Sequence, residues 1–141
     1  MCLSRVAHAT PYDVVQTAST IISMVPTGKH VQEVYAGKGK SVLNALKDIS
    51  QDQRAETLCI DQSTIEQSVS KAVALQLRQI GADLVDAPVS GGVIGAEKGA
   101  LAIMVGGSKT SYDRSVSALQ SMARKVTYCG DLGSQAKDSS S

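Results

Sequence analysis

The pattern of hydrophobic and polar positions divides the 141-residue chain into short apolar runs and longer stretches with apolar residues at helical spacing. The apolar runs predict strands at residues 19–25, 57–61, 84–86, 101–105 and 126–129. The stretches between them predict helices at residues 28–35, 41–49, 63–80 and 112–123, after a first short helix that Thr10 and Pro11 open. Because strands that alternate with helices favour right-handed crossovers, the predicted fold class is α/β with a mostly parallel sheet.

The start of the helix at residues 63–80 has two interpretations, and both involve Ser63. Ser63 and Glu66 have the spacing of a capping box, in which the serine side chain caps the helix. The same serine closely follows a predicted strand, where the side chains of binding sites are found in parallel sheets. The sequence leaves both roles open.

Composition and charge argue against several classes of protein. Fourteen Lys plus Arg against thirteen Asp plus Glu give a formal net charge of +1, and aromatic residues make up 3% of the chain. This balance disfavours a nucleic-acid-binding protein, and no apolar run approaches the ~18 residues of a membrane-spanning helix. Three cysteines without C-x-x-C spacing argue against a disulfide framework and a zinc site, so no metal is expected. The first residues lack the apolar stretch of a signal peptide, so no targeting segment is visible.

Three stretches that are polar or contain glycine follow the first three predicted strands. They are MVPTG at residues 24–28, DQST at 61–64 and DAPVSGG at 86–92. The carboxyl ends of parallel strands meet at one edge of a sheet, and α/β proteins bind their ligands there. We therefore expect the strand-end side chains to share one edge and one crevice, namely those of Thr27, Ser63, Thr64 and Ser90.

The same stretches resemble motifs of the β-hydroxyacid dehydrogenase family. The similar segments are DQSTI at 61–65, DAPVSGG at 86–92, GAEKG at 95–99 and LAIMVGG at 101–107, in the family's order and spacing. The resemblance extends back through MVPTG and covers roughly residues 9–135. It implies a Rossmann-like, doubly wound sheet and a nicotinamide cofactor, which is NAD or alternatively NADP.

The resemblance implies an activity and its site residues. The family reaction is the reversible oxidation of a small 3-hydroxy acid, as in valine breakdown, and the implied location is mitochondrial in a eukaryote and cytoplasmic otherwise. The positions implied to bind the cofactor are Val25, Pro26, Thr27 and Thr64. The positions implied to hold the substrate are Ser90, Gly91 and Gly92. Adjacent glycines let backbone N–H groups approach a carboxylate, and a serine hydroxyl adds a donor.

Two parts of the family pattern differ in this sequence. The phosphate-binding turn G-x-G-x-x-G is missing, because the one G-x-G, at residues 37–39, has Val42 where a third glycine would stand. Lys137 is the candidate catalytic lysine, although its spacing from the preceding glycines is compressed and serines follow it. Gln67 also replaces a family proline at the start of a helix.

This pattern predicts three segments. Residues 1–8 form a short N-terminal segment, residues 9–130 form the C-terminal part of a nucleotide-binding domain, and residues 131–141 form a polar, disordered tail. The helical C-terminal domain of the family is expected to be absent.

Two hypotheses of function stay open. The first is an active oxidoreductase for a small hydroxy acid substrate. The second is a truncated, catalytically silent fragment or isoform of such an enzyme, so the sequence leaves open whether the chain is active. An unpaired strand at the sheet edge also predicts self-association.

Overall fold

The computed structural model describes residues 10–90, 101–121 and 123–130. Its helices are α1 (Pro11–Thr17), α2 (Gly28–Ala36), α3 (Val42–Lys47), α4 (Gln51–Glu56), α5 (Gln67–Gln79) and α6 (Lys109–Gln120). Its strands are β1 (Thr20–Ser23), β2 (Leu58–Asp61), β3 (Asp83–Asp86), β4 (Val89–Ser90), β5 (Leu101–Val105) and β6 (Ala123–Tyr128). Within these ranges no helix is long and apolar enough to cross a bilayer.

The strands form two small sheets. In the first sheet β1, β2 and β3 lie side by side in that order, and both pairings are parallel. In the second sheet β5 pairs antiparallel with β4 and parallel with β6. The prediction of an α/β fold with mostly parallel strands is confirmed.

The chain that leaves the first sheet at β3 enters the second sheet at β4. Asp86 and Gly106 exchange two backbone hydrogen bonds of 2.8 Å, and Val89 and Ser90 then pair with Ile103 and with residue 102 in the same register. Residues 83–90 therefore act as one strand that pairs with β2 at its start and with β5 at its end. We call this stretch the shared strand.

Helices cover both faces of the first sheet. One face carries Ile21, Cys59 and Leu84, which pack in one core with residues of α1, α2, α3 and α5. The opposite face carries Leu58 and Ile60 and packs against β5 and α6. Because β2 is buried on both faces, its sequence is continuously apolar until Asp61 rather than alternating.

Several predicted elements differ from the structure. Strand β1 ends at Ser23 rather than residue 25, and β6 begins at Ala123, inside the predicted last helix. Helix α4 was not predicted at all, since it buries no residue and so has no apolar face. A capping box between Ser50 and Gln53 starts α4, and the side chain of Arg54 donates to backbone carbonyls at the end of α3.

Strand β1 lies at the edge of the first sheet within the described residues. In parallel pairing alternate residues bond to the neighbour, so the backbone groups of Thr20 and Ile22 point away from β2. Ile22 is 43% exposed and Met24 is 65% exposed. A groove of about 270 Å³ runs along this edge, lined by β1 and by residues of α1, α2 and α3.

Candidate functional site

The loops that follow β1 and β2 are joined by hydrogen bonds at the carboxyl edge of the first sheet. The backbone N–H of Val25 donates to Oγ of Ser63 over 2.8 Å. The N–H of Gln62 donates to the carbonyl of Ser23, also over 2.8 Å. The structure therefore brings together the first two of the three strand-end stretches, as the topology predicted.

Ser63 does not cap the following helix, so the capping interpretation is wrong. Helix α5 begins at Gln67, its N-cap residue is Glu66, and no side chain caps it. Ser63 instead donates its N–H to Oδ1 of Asp61 over 3.2 Å and accepts from Val25. The helix begins four residues later than predicted because these contacts hold Ser63 within the strand-end loop.

Asp61 is the centre of a buried polar cluster beneath these loops. Its Oδ1 accepts from Oγ of Ser23 over 3.0 Å, and that same Oγ lies 2.5 Å from the hydroxyl of Tyr35 on α2. Asp61 is 1% exposed, and its Oδ2 has no hydrogen-bond partner among the described residues. Burial raises the pKa of Asp61 above its usual value, although hydrogen bonds from Ser63 and Ser23 oppose the rise.

No feature of the sequence singles out Ser23 or Tyr35 as a partner of Asp61. Ser23 lies inside an apolar run, and Tyr35 has the spacing of a core residue on a helix. Both are buried, and their hydroxyls meet only because α2 packs on β1. The one available signal was a serine at an inward position of an otherwise apolar strand, because a buried hydroxyl requires a partner.

The candidate cofactor residues lie at this edge with different accessibility. Val25 is partly buried, whereas Pro26, Thr27 and Thr64 are exposed. The hydroxyl of Thr27 caps α2 by accepting from the N–H of His30, so part of its hydrogen-bonding capacity is used within the protein. Thr64 is exposed, so its side chain is accessible to a ligand.

The candidate substrate residues are only partly within the described ranges. Ser90 ends the shared strand and its backbone pairs with residue 102 of β5, four residues beyond the point where β3 leaves β2. Along the chain, Ser90 therefore comes after the carboxyl end of β3, at the sheet edge where Thr64 comes after β2. Gly91, Gly92 and the candidate base Lys137 lie outside the described residues.

The glycines at residues 37–39 do not form a phosphate loop. They connect α2 to α3 instead of following a strand. The side-chain amide of Asn44 donates to the carbonyls of all three residues, at 3.2, 3.3 and 2.7 Å. A phosphate requires converging N–H groups, whereas this loop directs its carbonyls inward towards Asn44. The structure therefore agrees with the sequence, in which residues 37–39 lack the third glycine of a phosphate-binding turn.

Metal chemistry finds no support in the described part of the chain. No group of three or more His, Cys, Asp or Glu side chains lies close enough there to hold an ion. Cys59 is a free, buried thiol, and burial raises its pKa to about 12. It packs as a small apolar residue, as expected from the sequence.

A doubly wound sheet with polar loops at its carboxyl edge defines the class of nucleotide-binding α/β domains. Residues 4–130 match the family model described as the NAD binding domain of 6-phosphogluconate dehydrogenase. The chain belongs to this family.

Relatives and solved structures agree with this assignment. The mitochondrial 3-hydroxyisobutyrate dehydrogenase of Rattus norvegicus is 40% identical over 126 residues, which are 89% of this chain and 35% of the rat protein. The Mycobacterium tuberculosis 3-hydroxyisobutyrate dehydrogenase, solved with L-serine, is 33% identical with a TM-score of 0.73, covering 94% of this chain and 43% of that one. Psf3, solved in complex with NADP+ and 2-OPP, is 25% identical with a TM-score of 0.81, covering 92% of this chain and 44% of that one.

The chain spans well under half the length of the relatives that it matches. The family, the fold and the resemblance to 3-hydroxyisobutyrate dehydrogenases therefore apply to these 141 residues. The relatives named 3-hydroxyisobutyrate dehydrogenase are more than twice that length.

Proposed function

We propose that this chain binds the nicotinamide end of NAD or NADP and belongs to an oxidoreductase that acts on a small 3-hydroxy acid. The observation that carries the proposal is the hydrogen bond from Val25 to Ser63, which joins two strand-end loops at one edge of the sheet. This edge is where parallel α/β domains bind their ligands. The family match at residues 4–130 supports a dinucleotide as that ligand.

The residues at this edge suit the nicotinamide and its ribose rather than the phosphates of the cofactor. Backbone groups of Val25, Pro26 and Thr27 and the exposed hydroxyl of Thr64 can hydrogen-bond ribose hydroxyls or a carboxamide. When bound, the nicotinamide ring exchanges a hydride with the substrate. The chain's own residues bind and orient that ring, and no glycine-rich phosphate loop occurs in the sequence.

The substrate part of the proposal depends on the end of the shared strand. A carboxylate of a small hydroxy acid would be held by Ser90, Gly91 and Gly92, and Lys137 would act as the base. The relative solved with L-serine, which is itself a small 3-hydroxy acid, supports this class of substrate. The mitochondrial names of the eukaryotic relatives support a mitochondrial location for the working protein.

Nucleotide binding can be tested directly on the 141-residue chain. NADH and NADPH are titrated separately while the fluorescence of the reduced nicotinamide and the heat of binding are recorded. Thr64→Val removes the exposed hydroxyl at nearly constant shape, and it should weaken binding about threefold to tenfold, the effect of one hydrogen bond. Thr127→Val, on the exposed side of β6, is the matched control and should bind as wild type does. Absence of saturable binding by either nucleotide would refute the proposal.

A second candidate function follows from the loop at residues 37–39. Because Asn44 holds the carbonyls of that loop, the loop offers no phosphate cradle, and a chain lacking one binds dinucleotides weakly. In that case the chain is catalytically silent and keeps only the fold. The titration with NADH and NADPH distinguishes the two candidate functions, since a silent chain shows no saturable signal with either nucleotide.

A further inference from the structure

We propose that Asp61 and Ser63 are positioning residues: Asp61 orients Ser63, and Ser63 holds the Val25 loop at the sheet edge that carries Thr64. The effect on nucleotide affinity rests on the proposed function, whereas the coupling between Asp61 and Val25 does not. The inference assigns a task to a buried carboxyl that is not among the residues proposed to contact the nucleotide or the substrate.

Ser63 connects Asp61 to the loop after β1. Its N–H donates to Oδ1 of Asp61 over 3.2 Å, while its Oγ accepts the N–H of Val25 over 2.8 Å. Ser63 is 1% exposed, so water competes poorly for these groups. Since Ser63 does not cap α5, the observed contacts of its side chain and N–H are to Asp61 and Val25.

Asp61 is itself fixed from the opposite side by β1 and α2. Ser23 donates its single hydroxyl hydrogen to Oδ1 of Asp61 over 3.0 Å. In the 2.5 Å contact between the hydroxyls of Ser23 and Tyr35, the donor must therefore be Tyr35. Hydrogen bonds thus run from Tyr35 through Ser23 to Asp61, and from Val25 and Ser63 towards the same carboxyl.

This arrangement makes the position of Val25 depend on Asp61. Hydrogen bonds in a chain polarise one another, so a strong acceptor at its centre strengthens the bonds that lead to it. An amide in place of the carboxyl is a weaker acceptor and also brings two N–H donors into the cluster. The Val25 loop should then loosen, although the Val25–Ser63 contact itself has not been changed.

The coupling can be measured without any ligand, from the hydrogen exchange rate of the Val25 amide by NMR of the full 141-residue chain. Ser63→Ala should raise that rate about tenfold, and Asp61→Asn about threefold to tenfold. Ser70→Ala is the matched control, because Ser70 is 2% exposed and its hydroxyl has no partner among the described residues. The control should leave Val25 unchanged. Wild-type exchange at Val25 in Asp61→Asn, or equal loosening in Ser70→Ala, would overturn the proposal.

A second measurement avoids the risk that Asp61→Asn fails to fold. In the wild-type chain the chemical shift of the Val25 amide should titrate with Asp61, because protonation weakens the acceptor that orients Ser63. Among the described residues, the other ionisable groups around Asp61 are Tyr35 on α2, Cys59 on β2 and Asp86, its register partner on β3. Burial raises the pKa of Tyr35 and of Cys59, so both stay neutral over the titration. The titration should persist in Asp86→Asn and vanish in Ser63→Ala; persistence in Ser63→Ala contradicts the coupling.

The link to ligand binding is tested with NADH and NADPH. Ser63→Ala should raise the dissociation constant about threefold to tenfold relative to wild type and to Ser70→Ala. Equal affinity in wild type and Ser63→Ala, with faster exchange at Val25, would show that the coupling exists but does not position the nucleotide. If neither nucleotide binds wild type, the proposed function fails, and the exchange rates alone decide the coupling.

Discussion

Gly107 lies directly against Val85: a Cβ atom at Gly107 would stand 2.8 Å from Cγ1 of Val85. The position cannot shift easily, because the N–H of Gly107 donates to the carbonyl of Gly130 and its own carbonyl accepts from the hydroxyl of Tyr128. Its φ of +156° is also one that residues with a side chain rarely adopt. The turn after β5 thus fits closely against the centre of β3.

Gly107→Ala should therefore lower the free energy of unfolding by about 1–3 kcal/mol, the usual effect of overpacking a tight core. Urea denaturation followed by circular dichroism measures this change. Gly39→Ala is the matched control, since a Cβ there has no atom within 4 Å, and its stability should be equal or slightly higher. Equal stability of Gly107→Ala and wild type would show that the turn can move away from Val85.

Asp83 should be the main acid-sensitive group at the start of β3. Burial alone would raise its pKa, but hydrogen bonds from Ser111 and Arg78, with the charge of Arg78, hold the pKa below its usual value. Its stabilising effect is therefore present above the unfolded pKa near ~3.9 and is lost as pH falls through the lower folded pKa. Asp83→Asn should reduce stability at pH 7 by about 1–3 kcal/mol and flatten the acid part of the stability curve.

Asp113→Asn provides the control for that experiment. Asp113 pairs with Lys109 at 3.1 Å, but both side chains are more than 60% exposed. Such surface pairs contribute little to stability. An equal loss in Asp113→Asn and Asp83→Asn would mean that general surface charge, not the partly buried contacts of Asp83, sets the loss of stability at acidic pH.

Asp61 should have the opposite effect on the pH dependence of stability. Its folded pKa is raised by burial, so the folded state binds the proton more tightly than the unfolded state does. This contribution is complete below the unfolded pKa near ~3.9 and is lost as pH rises through the folded pKa. The stability of Asp61→Asn relative to wild type should thus increase with pH across that window, as measured by urea denaturation at a series of pH values. A constant difference would show that Asp61 does not titrate there.

The exposed edge at β1 should promote self-association. Ile22 is 43% exposed beside backbone groups that point away from β2, and a lysine on an edge strand opposes pairing with another chain. Ile22→Lys should reduce the concentration-dependent light scattering of the chain. Leu75→Lys removes an equally large exposed residue, 60% exposed on α5, and should change scattering much less. Equal effects would assign the association to general hydrophobicity.

The 141-residue chain should not oxidise 3-hydroxyisobutyrate at a measurable rate, even with saturating NAD or NADP. Orientation of cofactor and substrate contributes ~7–11 kcal/mol to catalysis and depends on a phosphate cradle that this sequence does not contain. Absorbance of the reduced cofactor gives the rate. Turnover in wild type that is lost in Lys137→Ala would contradict this expectation and identify Lys137 as the base.

Most of the fold was predictable because a strand that is buried on both faces has a continuously apolar sequence. Strand β2 is apolar from Leu58 to Ile60, and the strand-end stretches follow β1, β2 and β3 as the parallel topology requires. Helix α4 was missed because its six residues bury nothing and are held instead by capping and by Arg54.

The polar cluster was less predictable because local spacing and tertiary contacts competed. Ser63 and Glu66 satisfy the capping pattern, yet the bonds to Asp61 and Val25 keep Ser63 out of the helix. Those partners lie on other elements, so no spacing within one segment reveals them. The role of Tyr35 likewise depends on where α2 meets β1.

The shared strand fixes the distance between the two ends of the candidate site. Asp86, in register with Asp61, and Ser90 lie four positions apart along the shared strand, a separation of ~13 Å at the usual rise of a strand. A slip of one residue against β5 would exchange the two faces of β4. The distance between the edge proposed to bind the cofactor and the segment proposed to bind the substrate is thus set by backbone pairing with β5, so surface loops elsewhere can vary in length without changing that distance.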